Sequence, residues 1–127
     1  MRTILFTAML AIVLPAMSSA DTFVLYGYGD YSCREFLSTY AAATLKDGKV
    51  KTDEAGFDLN GYVNWLYGFV SAHNWQEDLD DNITLPDTDG LLRWLNRFCE
   101  RNPSDQFYSA VEVLLSELAG AKDPTPK

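Results

Sequence analysis

Two cysteines, Cys33 and Cys99, in a chain whose first twenty residues read as an export signal, constrain the fold more than any other feature. Arg2 supplies a positive start, and residues 4–16 form an apolar core interrupted only by Thr7 and Pro15. Ser18 and Ala20 then set small residues at a cleavage site, so loss of residues 1–20 is expected to leave Asp21 at the N-terminus. An apolar run this short falls below the roughly 20 residues needed to cross about 30 Å of hydrocarbon. The expected destination, the periplasm, is oxidising, and two cysteines there permit one intramolecular pairing. Closing a loop of about 67 residues removes chain entropy worth roughly 4 kcal/mol. That is a large share of the about 5–15 kcal/mol by which domains are stable. A thiol pair used for redox or metal chemistry is disfavoured, because there is no Cys-x-x-Cys and His73 is the only histidine.

Cleavage leaves 107 of 127 residues, one domain over 21–121 with a Pro- and Lys-containing tail, 122–127, expected to be disordered. It also removes Arg2, leaving 18 Asp and Glu against nine Lys and Arg. So acidic a surface argues against nucleic acid and anionic membranes, which both require basic patches. No later stretch is apolar enough to insert in a membrane, since the richest, around 61–75, is broken by Asn64, Ser71, His73 and Asn74.

Helical periodicity dominates the rest. Residues 23–31 interleave tyrosine and glycine and read as a short extended arm over the body. Ser32-Cys33-Arg34-Glu35 is a capping box, followed by a stripe of Cys33, Phe36, Leu37, Tyr40, Ala41, Thr44 and Leu45. Residues 46–60 are charged and aperiodic, a surface loop. A second helix is expected over about 59–76, with Tyr62, Trp65, Leu66, Phe69, Val70 and His73 on one stripe widened by Val63, Tyr67 and Ala72. Such a helix is expected to be the central one, with Gly61 and Gly68 admitting a neighbouring helix and His73 at the core or its boundary. A third helix, capped by Asp87 or Thr88, turns Leu91, Leu92, Trp94, Leu95, Phe98 and Cys99 inward and leaves Arg93, Arg97 and Arg101 to solvent. It ends at Asn102-Pro103. Ser104 is expected to cap a fourth, with Phe107, Ala110, Val111, Leu114, Leu115 and Leu118 buried and Gly120 as terminator. The expected fold is all-α, a small four-helix bundle with one disulfide.

Little in the chain looks catalytic. One histidine on a packing stripe is thin material for acid–base work, and phosphate loops, two-histidine metal motifs and nucleophile triads are absent. We therefore expect no enzyme activity and no cofactor. Asp78, Asp80, Asn82 and Asp89 match positions 1, 3, 5 and 12 of a calcium loop. Ile83 stands where the sharp turn needs glycine, and Asp89 where a bidentate glutamate is usual, so an acidic loop leading into a helix cap is the preferred reading.

Two short segments resemble a known family. Ser-Cys-Arg-Glu-Phe-Leu at 32–37 and Phe-Cys-Glu-Arg-Asn-Pro at 98–103 are similar to the two cysteine segments of the HdeA/HdeB periplasmic acid-stress chaperones. That resemblance implies a single Cys33–Cys99 disulfide and a protein that loosens in acid to hold unfolding clients. Between neutral pH and about pH 2 the mature charge swings from about −9 to roughly +11, enough self-repulsion to loosen a small bundle. Phe36, Trp65, Phe69, Trp94 and Phe107 are then the candidate client- or partner-binding residues. Gly61-Tyr62-Val63 and the Asn102-Pro103 turn also resemble the Rap/Tai immunity proteins of type VI secretion, although the cysteine usual beside the Gly-Tyr pair is missing. That resemblance implies the alternative: an envelope binding module that neutralises one specific protein partner. The broad apolar face of the second helix leaves a homodimer open.

Overall fold

The computed structural model describes residues 24–121; the expected signal, its cleavage after Ala20 and the tail from residue 122 lie outside them. A 3-10 turn, Gly27–Asp30, leads into helices α1 (Cys33–Ala43), α2 (Glu54–Gln76), α3 (Thr88–Arg101) and α4 (Phe107–Ala121), with a second 3-10 turn, Leu79–Asp81, between α2 and α3. The fold is all-α, and the described residues contain no strand.

Helix α1 starts where the capping box places it. Ser32 Oγ accepts the Glu35 N–H at 3.3 Å, and Glu35 Oε2 accepts the Ser32 N–H at 2.7 Å. The free amides of its first turn are served from far along the chain. Cys33 N–H donates to Asp105 O at 2.7 Å and Arg34 N–H to Pro103 O at 3.1 Å, while Phe107 N–H donates back to Tyr31 O at 2.7 Å. These bonds satisfy groups that every helix N-terminus leaves without an internal partner. The Cys33–Cys99 disulfide crosses the same junction, Cα to Cα 4.9 Å, tying the first residue of α1 to the last turn of α3.

That junction also explains where α4 begins. Ser104 does not cap it. The Pro103 and Asp105 carbonyls are committed to α1, so residues 102–106 stay a turn and the helix starts at Phe107. Helix α2 likewise starts earlier than its stripe suggests, at Glu54, because Asp53 caps it through the Gly56 N–H at 3.2 Å. Gly56 belongs to the helix rather than to a loop: a Cβ there would stand 1.8 Å from Lys51 O. The connection from α1 is a tight turn, with Leu45 N–H to Lys49 O at 2.8 Å and Lys51 N–H to Ala43 O at 2.7 Å around the left-handed Gly48.

The central helix is α1, not α2: it packs on α2 and α3 and touches α4. The arm covers Gly61, Tyr62 and Trp65 of α2, while Tyr67 and Ala72 of the widened face stay exposed. The arm is extended at Tyr26 and Tyr31 but winds into the 3-10 turn between them. Tyr28 lies over Gly61, where a Cβ would stand 2.3 Å from its ring, so this glycine admits a tyrosine rather than a helix. Gly68 faces open space and admits nothing. Among the described residues, no helix is long and apolar enough to cross a membrane.

Candidate functional site

The five candidate aromatic residues separate into three environments. Phe36 and Phe107 are fully buried and form, with Tyr62, the centre of the core. The three rings come from α1, α4 and α2, and their centroids lie 4.9–5.2 Å apart. Burial pushes the Tyr62 hydroxyl up to about 12. Trp65 and Phe69 are half-buried on the rim, stacked at 5.3 Å, with the Trp65 indole N–H donating to Tyr26 O at 2.9 Å. Phe69 meets Tyr108, whose hydroxyl is also raised to about 12, first by burial and then by its hydrogen bond to Glu112. Trp94 stands apart, stacked on Phe98 and donating its N–H to Glu117 Oε2 at 3.0 Å across the α3–α4 seam. The structure thus brings Phe36, Phe107, Trp65 and Phe69 into one packed row and leaves Trp94 outside it.

A shallow cleft of about 80 Å³ lies between Tyr40, Thr44, Val50, Leu92 and Arg93. Small-molecule sites usually run to about 300–1,000 Å³. His73 is half-buried on α2. The calcium-like positions do not converge: Asp80 lies in a 3-10 turn and Asp89 in the first turn of α3, whose cap is Asp87 through the Gly90 N–H at 2.7 Å. Among the described residues, no group of three or more His, Cys, Asp or Glu side chains could hold a metal ion.

The surface offers a different feature. From residue 52 to 92 the chain carries nine Asp and Glu and no Lys or Arg, and all nine are exposed. This stretch comprises α2, the segment leading into α3 and the start of α3, with Asp53, Glu54 and Asp58 at one end of α2 and Glu77, Asp78, Asp80 and Asp81 at the other. At the C-terminal end of α2, Trp75 is 90% exposed and Leu79, in the following 3-10 turn, 87%. Leu79 is bracketed by Glu77, Asp78, Asp80 and Asp81. The segment is pinned rather than loose. Asn74 Nδ2 donates to Ile83 O at 2.9 Å, Asn74 Oδ1 accepts the Ile83 N–H at 2.8 Å, and the Ile83 side chain is buried. Tyr67 and Thr88 hydroxyls, 2.8 Å apart, tie α2 to the start of α3. Because Asn74 turns toward Ile83, its helical neighbour Trp75 turns about 100° away, into solvent.

This corner lies off the helical stripes. Trp75 falls off the i, i+3, i+4 series of α2, and an off-stripe tryptophan beside an acidic loop was the available signal. Compared with protein-family models, curated proteins and solved structures, the chain matches none of them.

Proposed function

We propose that this is a non-enzymatic periplasmic binding protein that works folded, presenting a preformed acidic surface to one protein partner. The observation that carries the reading is the corner at the C-terminal end of α2, where the exposed Glu77, Asp78, Asp80 and Asp81 flank the exposed Trp75 and Leu79 in sequence, borne on a scaffold held by a disulfide and a three-ring aromatic core. Uncompensated like charge costs stability in the free protein and favours association with an oppositely charged surface, chiefly through faster and more selective encounter. The reading agrees with the resemblance to the immunity proteins.

The test is to recover the tagged protein from envelope extracts at neutral pH, in low and in high salt. A stoichiometric basic partner that dissociates in high salt supports the reading. A partner held only in acid, or none at stoichiometric level, sinks it.

The acid-stress chaperone is the second reading, favoured by how α2 is attached. The disulfide staples α1 to α3, whereas α2 carries no cross-link and is held by packing on α1, the arm, Phe107 and Tyr108 and by hydrogen bonds to Ile83 and Thr88. A charge-driven loosening would free α2, and with it Tyr62, Trp65 and Phe69, while the rest stayed tethered. Light scattering of an acid-denaturing client at about pH 3 and at neutral pH decides: suppression in acid alone, lost on reduction of Cys33–Cys99, supports this reading, and no suppression ends it.

A further inference from the structure

We propose that the corner formed by the end of α2 and the 3-10 turn after it, with Trp75 and Leu79 at its apex, docks a protein whose complementary surface is an apolar cleft rimmed by Lys and Arg. This rests on the binding reading above and gives it an address and a partner chemistry.

Three observations converge on the corner. Trp75 and Leu79 are the two most exposed large apolar side chains among the described residues, four positions apart where α2 ends. Tryptophan is among the residues most enriched at the energetic centres of protein interfaces. The second observation is rigidity. Asn74 holds both backbone groups of Ile83, and the buried Ile83 side chain roots the segment in the core. A partner therefore has little loop ordering to offset on binding.

The third is charge. Glu77, Asp78, Asp80 and Asp81 surround Leu79, and the nearest Lys or Arg in the chain are Lys51 and Arg93. Carboxylates at the rim steer a basic surface toward the apolar apex and reject acidic ones, so the occupant is basic as well as apolar. Nucleic acid and anionic lipid are repelled by the same groups. A second copy of this chain offers the exposed Arg93, Arg97 and Arg101 stripe of α3, but the cleft at Arg93 is shallow, about 80 Å³, and carries the Asp89 carboxylate in its lining, which repels the acidic corner.

The experiment selects binders to the oxidised mature protein at neutral pH from a displayed library of small folded scaffolds with a randomised face. Enriched clones are then measured against wild type, Trp75→Ala, Leu79→Ala and, as a control from the other end of α2, Phe57→Ala, whose side chain is 70% exposed. Native-like amide exchange at Ile83 certifies that the corner variants are folded. The expected result is clones carrying Lys or Arg around an apolar centre, weakened at least about tenfold by Trp75→Ala and by Leu79→Ala, and untouched by Phe57→Ala. If no basic clone enriches against wild type, the binding reading itself fails. If basic clones enrich but bind Trp75→Ala as tightly as wild type, that reading stands and this site is wrong. A wild-type dimer in multi-angle scattering that Trp75→Ala disperses would make the occupant a second copy and overturn the proposed partner.

Discussion

The Trp65 indole lies directly beneath Gly29, so close that a Cβ on that glycine would stand 2.1 Å from the ring. The arm and α2 therefore meet through the absence of a side chain. Three alanine substitutions test the contact. Gly29→Ala overpacks a ring wedged between the arm and the body, and is expected to cost about 1–3 kcal/mol. Gly61→Ala meets the Tyr28 ring and should destabilise in the same direction. Gly68→Ala meets nothing and should stabilise by up to about 1 kcal/mol through helix propensity alone. Urea unfolding of the three variants gives the order, and a destabilised Gly68→Ala would contradict the open surface assigned to it.

Reduction of Cys33–Cys99 releases a constraint between residues 66 apart in sequence. The expected loss is about 4 kcal/mol of stability, read as the shift in unfolding midpoint between oxidised protein and the Cys33→Ser, Cys99→Ser double variant. An unchanged midpoint would mean the backbone bonds at the same junction hold it unaided.

Acid is expected to weaken the capping box. Bonding to the Ser32 N–H, and then to its hydroxyl, holds the exposed Glu35 carboxyl below its usual 4.5. A depressed folded value means this contribution is complete above the unfolded value and is lost as pH falls through the folded one. Ser32→Ala should cost about 1 kcal/mol at neutral pH. It should also flatten the decline in stability below about pH 4.5. Chemical denaturation across pH 3–7 measures both. Among the described residues there is one ion pair, the exposed Lys49–Asp47 at 3.4 Å. Mild acid thus removes repulsion more than attraction, and the rest of the surface should not drive unfolding there.

Alkali gives a separate signature. Tyr62 and Tyr108 are raised from 10.0 to about 12, so each should ionise well above the ordinary phenol value in an ultraviolet titration. A raised folded value is stability present below 10.0 and lost as pH climbs through about 12. Tyr62→Phe should remove one late step, and a variant that still shows both would reassign the group.

The helices were legible because their apolar stripes keep a 3.6-residue period, and the capping box and Asn102-Pro103 mark ends by local chemistry alone. The start of α2 was hidden because its first turn, from Glu54 to Asp58, carries charge and a glycine whose reason is the Lys51 carbonyl, which sequence cannot place. The start of α4 was misplaced for a related reason: Ser104 is a good cap locally, but α1 claims the carbonyls on either side of it. The candidate aromatics were read as one binding set because periodicity reports burial without depth. It could not distinguish Phe36, sealed in the centre, from Trp94, bonded across an outer seam. Trp75 and Leu79 escaped because their exposure follows from Asn74 reaching Ile83, a contact nine residues apart that no period encodes.

The amides at the start of α1 find their partners in the turn before α4, some seventy residues later. A chain emerging N-terminus first therefore cannot complete its first helix when that helix is made. The two halves of the junction must wait for each other, and a long loop must close before either is rewarded, which slows folding relative to bundles built from neighbouring helices. The junction that locks the finished fold thus also postpones it until the second cysteine has arrived.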